Sequence, residues 1–142
     1  MSASTKLSTA VQVLCLLAGT DGQAMSSEEL SRSTGIHSVR LRRILSQLGR
    51  NGLVLSNRGL AGGFTLARSP EELHLQEVYC AVETRKAFHL DVTRNDQGTA
   101  ALSGRVNGFF LRLFEQLQVE IEESMSNITI ADVLRSTTQQ EE

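Results

Sequence analysis

Seven arginines stand between Leu30 and Pro70 (Arg32, Arg40, Arg42, Arg43, Arg50, Arg58 and Arg68), and no aspartate or glutamate lies among them. A guanidinium is a planar fork of donors that stays protonated. Its natural counterparts are phosphate oxygens and the O6/N7 edge of guanine. The total charge conceals this field. Residues 1–69 hold eight Lys/Arg against three Asp/Glu, whereas residues 70–142 hold six against thirteen, and the whole chain carries −2. Attraction to a polyanion follows local potential and not the sum. The first half is therefore predicted to face double-stranded DNA, with the acidic half turned away.

Little else in the chain could do chemistry. The two cysteines, Cys15 and Cys80, sit far apart in apolar helical patterns, so a disulfide scaffold is not expected and a reducing cytoplasm is. Each is a candidate redox group, because a thiolate near cations can be oxidised; Arg85 and Lys86 follow Cys80. Against that, free cysteine is among the most buried residue types. His37, His74 and His89 lack ligand spacing, so no metal and no cofactor are predicted. No nucleophile–base motif appears, and Gly59-x-x-Gly62-Gly63 falls in a hairpin where a phosphate loop would need a strand-to-helix turn; the chain is not read as an enzyme. No apolar run approaches the roughly 18 residues of a membrane span, and the N-terminus shows no secretory signal.

The arginines need elements to hold them. Leu7, Ala10, Val11, Leu14, Leu17 and Ala18 mark one helical face that ends at Gly19. Ser26-Ser27-Glu28-Glu29 fits a capping box for a second helix, with Met25 and Leu30 as a hydrophobic staple and Gly35 as its stop. A third helix begins near His37 or Ser38, turns Leu41, Ile44, Leu45 and Leu48 inward and ends at Asn51-Gly52. Its other face carries Val39, Arg40, Arg42, Arg43, Gln47 and Arg50. Leu53–Ser56 and Phe64–Ala67 read as strands around a glycine-rich tip. A fourth helix runs to Glu83, starting either at a Ser69 cap or at Leu75. From Ala100 to about Met125 a long helix bears a wide apolar stripe, including Leu102, Val106, Phe109, Phe110, Leu113 and Leu117. One small domain cannot cover such a stripe. Gly104 and Gly108 within it each cost about 1 kcal/mol against Ala, a cost that close approach of another helix would offset. Thr129-x-x-Asp132 caps a last short helix.

These elements predict a mainly α chain with a small β-hairpin wing: a winged helix-turn-helix over 1–83, a loop over 84–99, a dimerisation helix with a short C-terminal helix over 100–135, and a disordered tail over 136–142. The segment Leu53-Val54-Leu55-Ser56-Asn57-Arg58-Gly59-Leu60-Ala61-Gly62-Gly63-Phe64-Thr65-Leu66-Ala67-Arg68 closely resembles the wing of the Rrf-two family of bacterial winged-helix transcription regulators. Agreement continues in Lys6-Leu7-Ser8, in Glu29-Leu30 before Thr34-Gly35-Ile36, and from Pro70-Glu71-Glu72 to Val82-Glu83, so that it covers roughly residues 6–85. The resemblance implies a DNA-binding regulator. Cluster-binding members of that family carry three cysteines in the loop before the long helix. Here the loop has none, and only His89 and Asp91 stand as conceivable ligands, so the chain resembles the cofactor-less branch. Iron–sulfur clusters are held mainly by Cys thiolates.

The reading is a sequence-specific transcriptional regulator, a repressor, acting as a homodimer on an inverted repeat and answering to a small-molecule or redox effector. The alternative is a winged helix used as a protein-interaction module. The DNA-contacting set is Lys6, Ser8, Ser38, Val39, Arg40, Arg42, Arg43, Arg50, Arg58, Gly62 and Gly63. The third helix is expected to enter the major groove, Lys6 and Ser8 to meet phosphate, and Arg58 with the glycine pair to approach the minor groove.

Overall fold

The computed structural model describes residues 5–84 and 102–140. Helix α1 (Thr5–Ala18) is followed by α2 (Ser27–Thr34), α3 (Ser38–Arg50), an antiparallel hairpin of β1 (Val54–Asn57) and β2 (Gly63–Leu66), then α4 (Leu75–Val82), α5 (Leu102–Ser126) and α6 (Ile130–Thr138). Helix α1 is the hub, packing on α2, α3, α4, α6 and β2. Its Ala10, Val13 and Leu14 are fully enclosed among Leu30, Leu41, Leu45 and Leu48. The core is aliphatic, as a chain with no Trp and one Tyr requires.

Local codes set most boundaries. The Ser26 hydroxyl accepts from the Glu29 amide at 3.1 Å while the Glu29 carboxylate accepts from the Ser26 amide at 3.0 Å. This reciprocal cap fixes the start of α2. Gly35 ends it in the left-handed region at φ 72°. Helix α4 starts at Leu75, its cap at His74, whose amide donates to Glu77 Oε2 at 3.1 Å. Ser69 heads only the preceding turn. Thr129 and Asp132 close the same kind of box on α6.

Two tertiary links lie outside any local code. Met25 forms a β-bridge with Phe64 through hydrogen bonds of 3.1 and 2.8 Å, so the wing is tied to the entrance of α2. His74 bridges Thr129, with Leu75 N–H donating to Ile128 O at 2.8 Å and Ile130 N–H to Leu73 O at 2.9 Å. Ile130 is fully buried in the same core as Leu14. Helix α6 thus belongs to the winged-helix core, although its sequence neighbour is the long helix, and it continues to Thr138, past the point where a tail was expected. Most of the loop over 84–99 lies outside the described residues.

Candidate nucleic-acid interface

Four buried residues of α3, Leu41, Ile44, Leu45 and Leu48, lock one side of the helix onto the core, so its opposite side must face solvent. His37 caps its start, Nδ1 accepting from the Val39 amide at 3.2 Å. On the outer side a concavity of about 740 Å³ is lined by Lys6, Val39, Arg40, Arg42, Arg43, Ser46, Gln47 and Arg50. No acidic residue takes part. A second hollow of about 270 Å³ continues from Arg42, Ser46 and Arg50 to Ser56 and Phe64 of the wing. Helix and wing thus form one basic surface.

The arginines on it are not equivalent. Arg40 Nη2 donates to Thr5 Oγ1 at the start of α1, and Arg50 Nη2 donates to Ser46 Oγ at 3.2 Å. Arg42 and Arg43 are exposed on the outer stripe. Arg68 leaves the field altogether, donating to Glu77 Oε1 at 2.7 Å. Ser38 is half-buried in the first turn of α3. Ser8 is exposed, its hydroxyl donating to Thr5 O at 3.2 Å. Arg58 is exposed at the wing tip.

Gly62 and Gly63 have a reason internal to the fold. A Cβ on Gly62 would stand 2.7 Å from the carbonyl oxygens of Asn57 and Gly59; one on Gly63, at φ 147°, would stand 2.5 Å from Met25 O. The hairpin's own closure and its bridge to Met25 require both glycines.

The long helix presents a different surface. Leu102 is 69% exposed and Phe109 57%, while Val106 and Phe110 are exposed and Leu113 and Leu117 half-buried. Gln118 alone on α5 is buried, its Nε2 donating to Tyr79 Oη at 3.1 Å and to Glu122 Oε1 at 2.7 Å. At Gly108 an added Cβ would make only ordinary contact with Arg112, at 3.5 Å.

The two thiols differ in access: Cys15 is half-buried and Cys80 exposed. Burial pushes the half-buried Cys15 thiol up. Burial, then the negative charge of Glu122, pushes Cys80 up. Arg85 and Lys86 lie outside the described residues. Sequence patterning missed Thr5 altogether and saw Met25 only as a staple on α2: the bond from Arg40 to Thr5 and the bridge of Met25 to Phe64 each join residues more than thirty positions apart, beyond the reach of a local motif.

The Rrf2 (Rrf-two) family model, described as iron-dependent transcriptional regulator, matches residues 3–136. YwgB of Bacillus subtilis, which bears the name of an HTH-type transcriptional regulator, is 31% identical over 129 residues, 90% of this chain and 78% of that one. The HTH-type transcriptional regulator IscR of Sodalis glossinidius is 32% identical over 106 residues, 75% of this chain and 61% of that one. The solved structure of T. potens IscR superposes with a TM-score of 0.68 at 26% identity, covering 96% of this chain and 88% of that one. The donor set here does not fit a cluster held by thiolates. The chain has two cysteines, one half-buried on α1 and one on α4, and among the described residues no three His, Cys, Asp or Glu side chains converge. His89 and Asp91 lie outside the described residues.

Proposed function

The chain belongs to the Rrf2 family of transcriptional regulators, and we propose that it represses transcription as a homodimer, inserting α3 of each protomer into the major groove of an inverted-repeat operator. The observation that carries this reading is the acid-free basic face of α3 running continuously into the wing. Arg42 and Arg43 contact base edges or phosphates there, with Val39 and Ser38 beside them. Arg40, Arg50, Lys6 and Ser8 meet the flanking backbone, and Arg58 enters the adjacent minor groove at the wing tip, where Gly62 and Gly63 shape the turn. Two-fold pairing through α5 sets the half-sites about 34–36 Å apart, one helical turn. The exposed stripe of Leu102, Val106, Phe109 and Phe110 supports that pairing, with Leu113 and Leu117 at its half-buried edge.

The protein works in the cytoplasm, and no described helix is long and apolar enough to cross a membrane. Two releasing signals fit this arrangement: a small molecule seated between the long helices and the winged domains, or oxidation of Cys80, which is exposed, ahead of Cys15, which is half-buried. Selection from a random duplex pool, followed by titration at several salt concentrations, tests the reading. An enriched inverted repeat with a steep salt slope is expected, because each neutralised phosphate releases a counterion. Arg42→Ala or Arg43→Ala should cost about 1–3 kcal/mol wherever a bidentate base contact is lost. Binding without sequence enrichment, or a flat salt slope, would return the chain to the class of protein-interaction modules.

A further inference from the structure

Side-chain bonds divide the outer face of α3 into residues held in place and residues left to read. Arg40 is drawn sideways to Thr5 on α1 and Arg50 is folded back onto Ser46. Beside them Val39, Arg42, Arg43 and Gln47 form one stripe at i, i+3, i+4 and i+8, the spacing of a single helix face. Val39 is the anomaly. It is 52% exposed, it packs in no core, and a β-branched residue in a helix gives up χ1 freedom without recompense. It is the one exposed large apolar side chain on α3, and it stands among arginines. In the major groove only thymine offers an apolar group, its C5-methyl, while an amide side chain pairs with the N6/N7 edge of adenine.

We infer that Val39 and Gln47 are specificity-determining residues, Val39 seating a thymine methyl and Gln47 an adenine edge, on either side of guanine read by Arg42 or Arg43. Eight residues of helix span about 12 Å, and successive base pairs are about 3.4 Å apart. The half-site therefore carries thymine and adenine about three to four base pairs apart, with guanine between. This rests on the proposed docking of α3, and the experiment separates the two.

The full-length chain is used to select an operator from random duplexes. Each thymine of the half-site is then replaced singly by deoxyuridine, which removes the methyl alone. At one position the wild type should lose about fourfold in affinity, the value of one buried methyl-sized group. Val39→Ala, at an exposed site where the melting temperature should hold, should bind the thymine and deoxyuridine operators equally. Gln47→Ala should lose preference at one adenine a few base pairs away. Arg50→Ala should weaken operator and scrambled duplex alike. Failure to enrich any sequence defeats the docking itself. An enriched operator that tolerates deoxyuridine everywhere, or a Val39→Ala variant still sensitive to the methyl, defeats this assignment and leaves docking intact.

Discussion

The winged-helix half and the long helix handle apolar surface in opposite ways. In the first, Leu14, Leu30, Leu41, Leu45 and Leu48 are fully enclosed within one protomer, and the polar side of α3 is free for a ligand. In the second, Leu102, Val106, Phe109 and Phe110 lie open, and α5 meets the winged half through a buried amide, Gln118, bonded to Tyr79. An aliphatic core is non-directional and tolerates small adjustments; a hydrogen bond between two particular side chains is directional. The first half is thus finished as a folded unit, while α5 is oriented by a polar contact and left with an unfilled apolar face.

That contrast breaks most visibly under truncation and charge. Leu45→Ala should cost about 2–5 kcal/mol in urea unfolding, since it empties a fully packed site. Phe109→Asp should leave urea unfolding of the winged half nearly untouched, yet convert the protein to monomers by sedimentation at micromolar concentration. A Phe109→Asp protein that still sediments as a dimer would move the interface off this face of α5. A wild type already monomeric would remove the two-fold operator geometry altogether.

The wing supplies the next effect in size. Gly63→Ala pushes a methyl into Met25 O at a backbone angle that side chains rarely adopt, a strain of about 1–3 kcal/mol. Relief requires parting the Met25–Phe64 bridge, so amide exchange at Met25 and Phe64 should accelerate and operator affinity should fall with it. Unchanged exchange at those two amides would show that the bridge does not position the wing.

The same contrast explains what the sequence could disclose. Caps at Ser26 and Thr129, the stop at Gly35 and the inward face of α3 were all legible, because each is decided within one turn of chain. The beginning of α4 was ambiguous between Ser69 and Leu75: Glu72 stands three positions after Ser69 and Glu77 three positions after His74, and docking of the 73–75 backbone against 128–130 decides for His74 as the cap. The assignment of α6 to the winged core was illegible for a similar reason. A short amphipathic helix following a long one gives no sign of which surface it will cover until Ile130 is seen inside the core of α1. At the site, the charge field was plain, but its internal division was hidden. Arg40 and Arg68 look like Arg42 in the sequence, and only Thr5 and Glu77, distant along the chain, distinguish them.

The smallest predicted effect concerns Cys80, which sits where the two halves meet. The residue is exposed, yet partial desolvation raises its thiol, and Glu122, which also accepts from Gln118, raises it further. Only the thiolate attacks an electrophile. Alkylation at neutral pH should therefore be slower than for free cysteine and should quicken as pH rises toward the thiol's elevated range. Glu122→Gln removes the charge while keeping the shape, so it should speed the reaction modestly; Cys15, whose thiol is raised by burial alone, should not respond. Were Cys80 to alkylate faster than free cysteine near neutrality, cations from beyond the described residues would have to outweigh Glu122. Oxidation of Cys80, where α4 packs on α5, would then be favoured over a small molecule as the releasing signal.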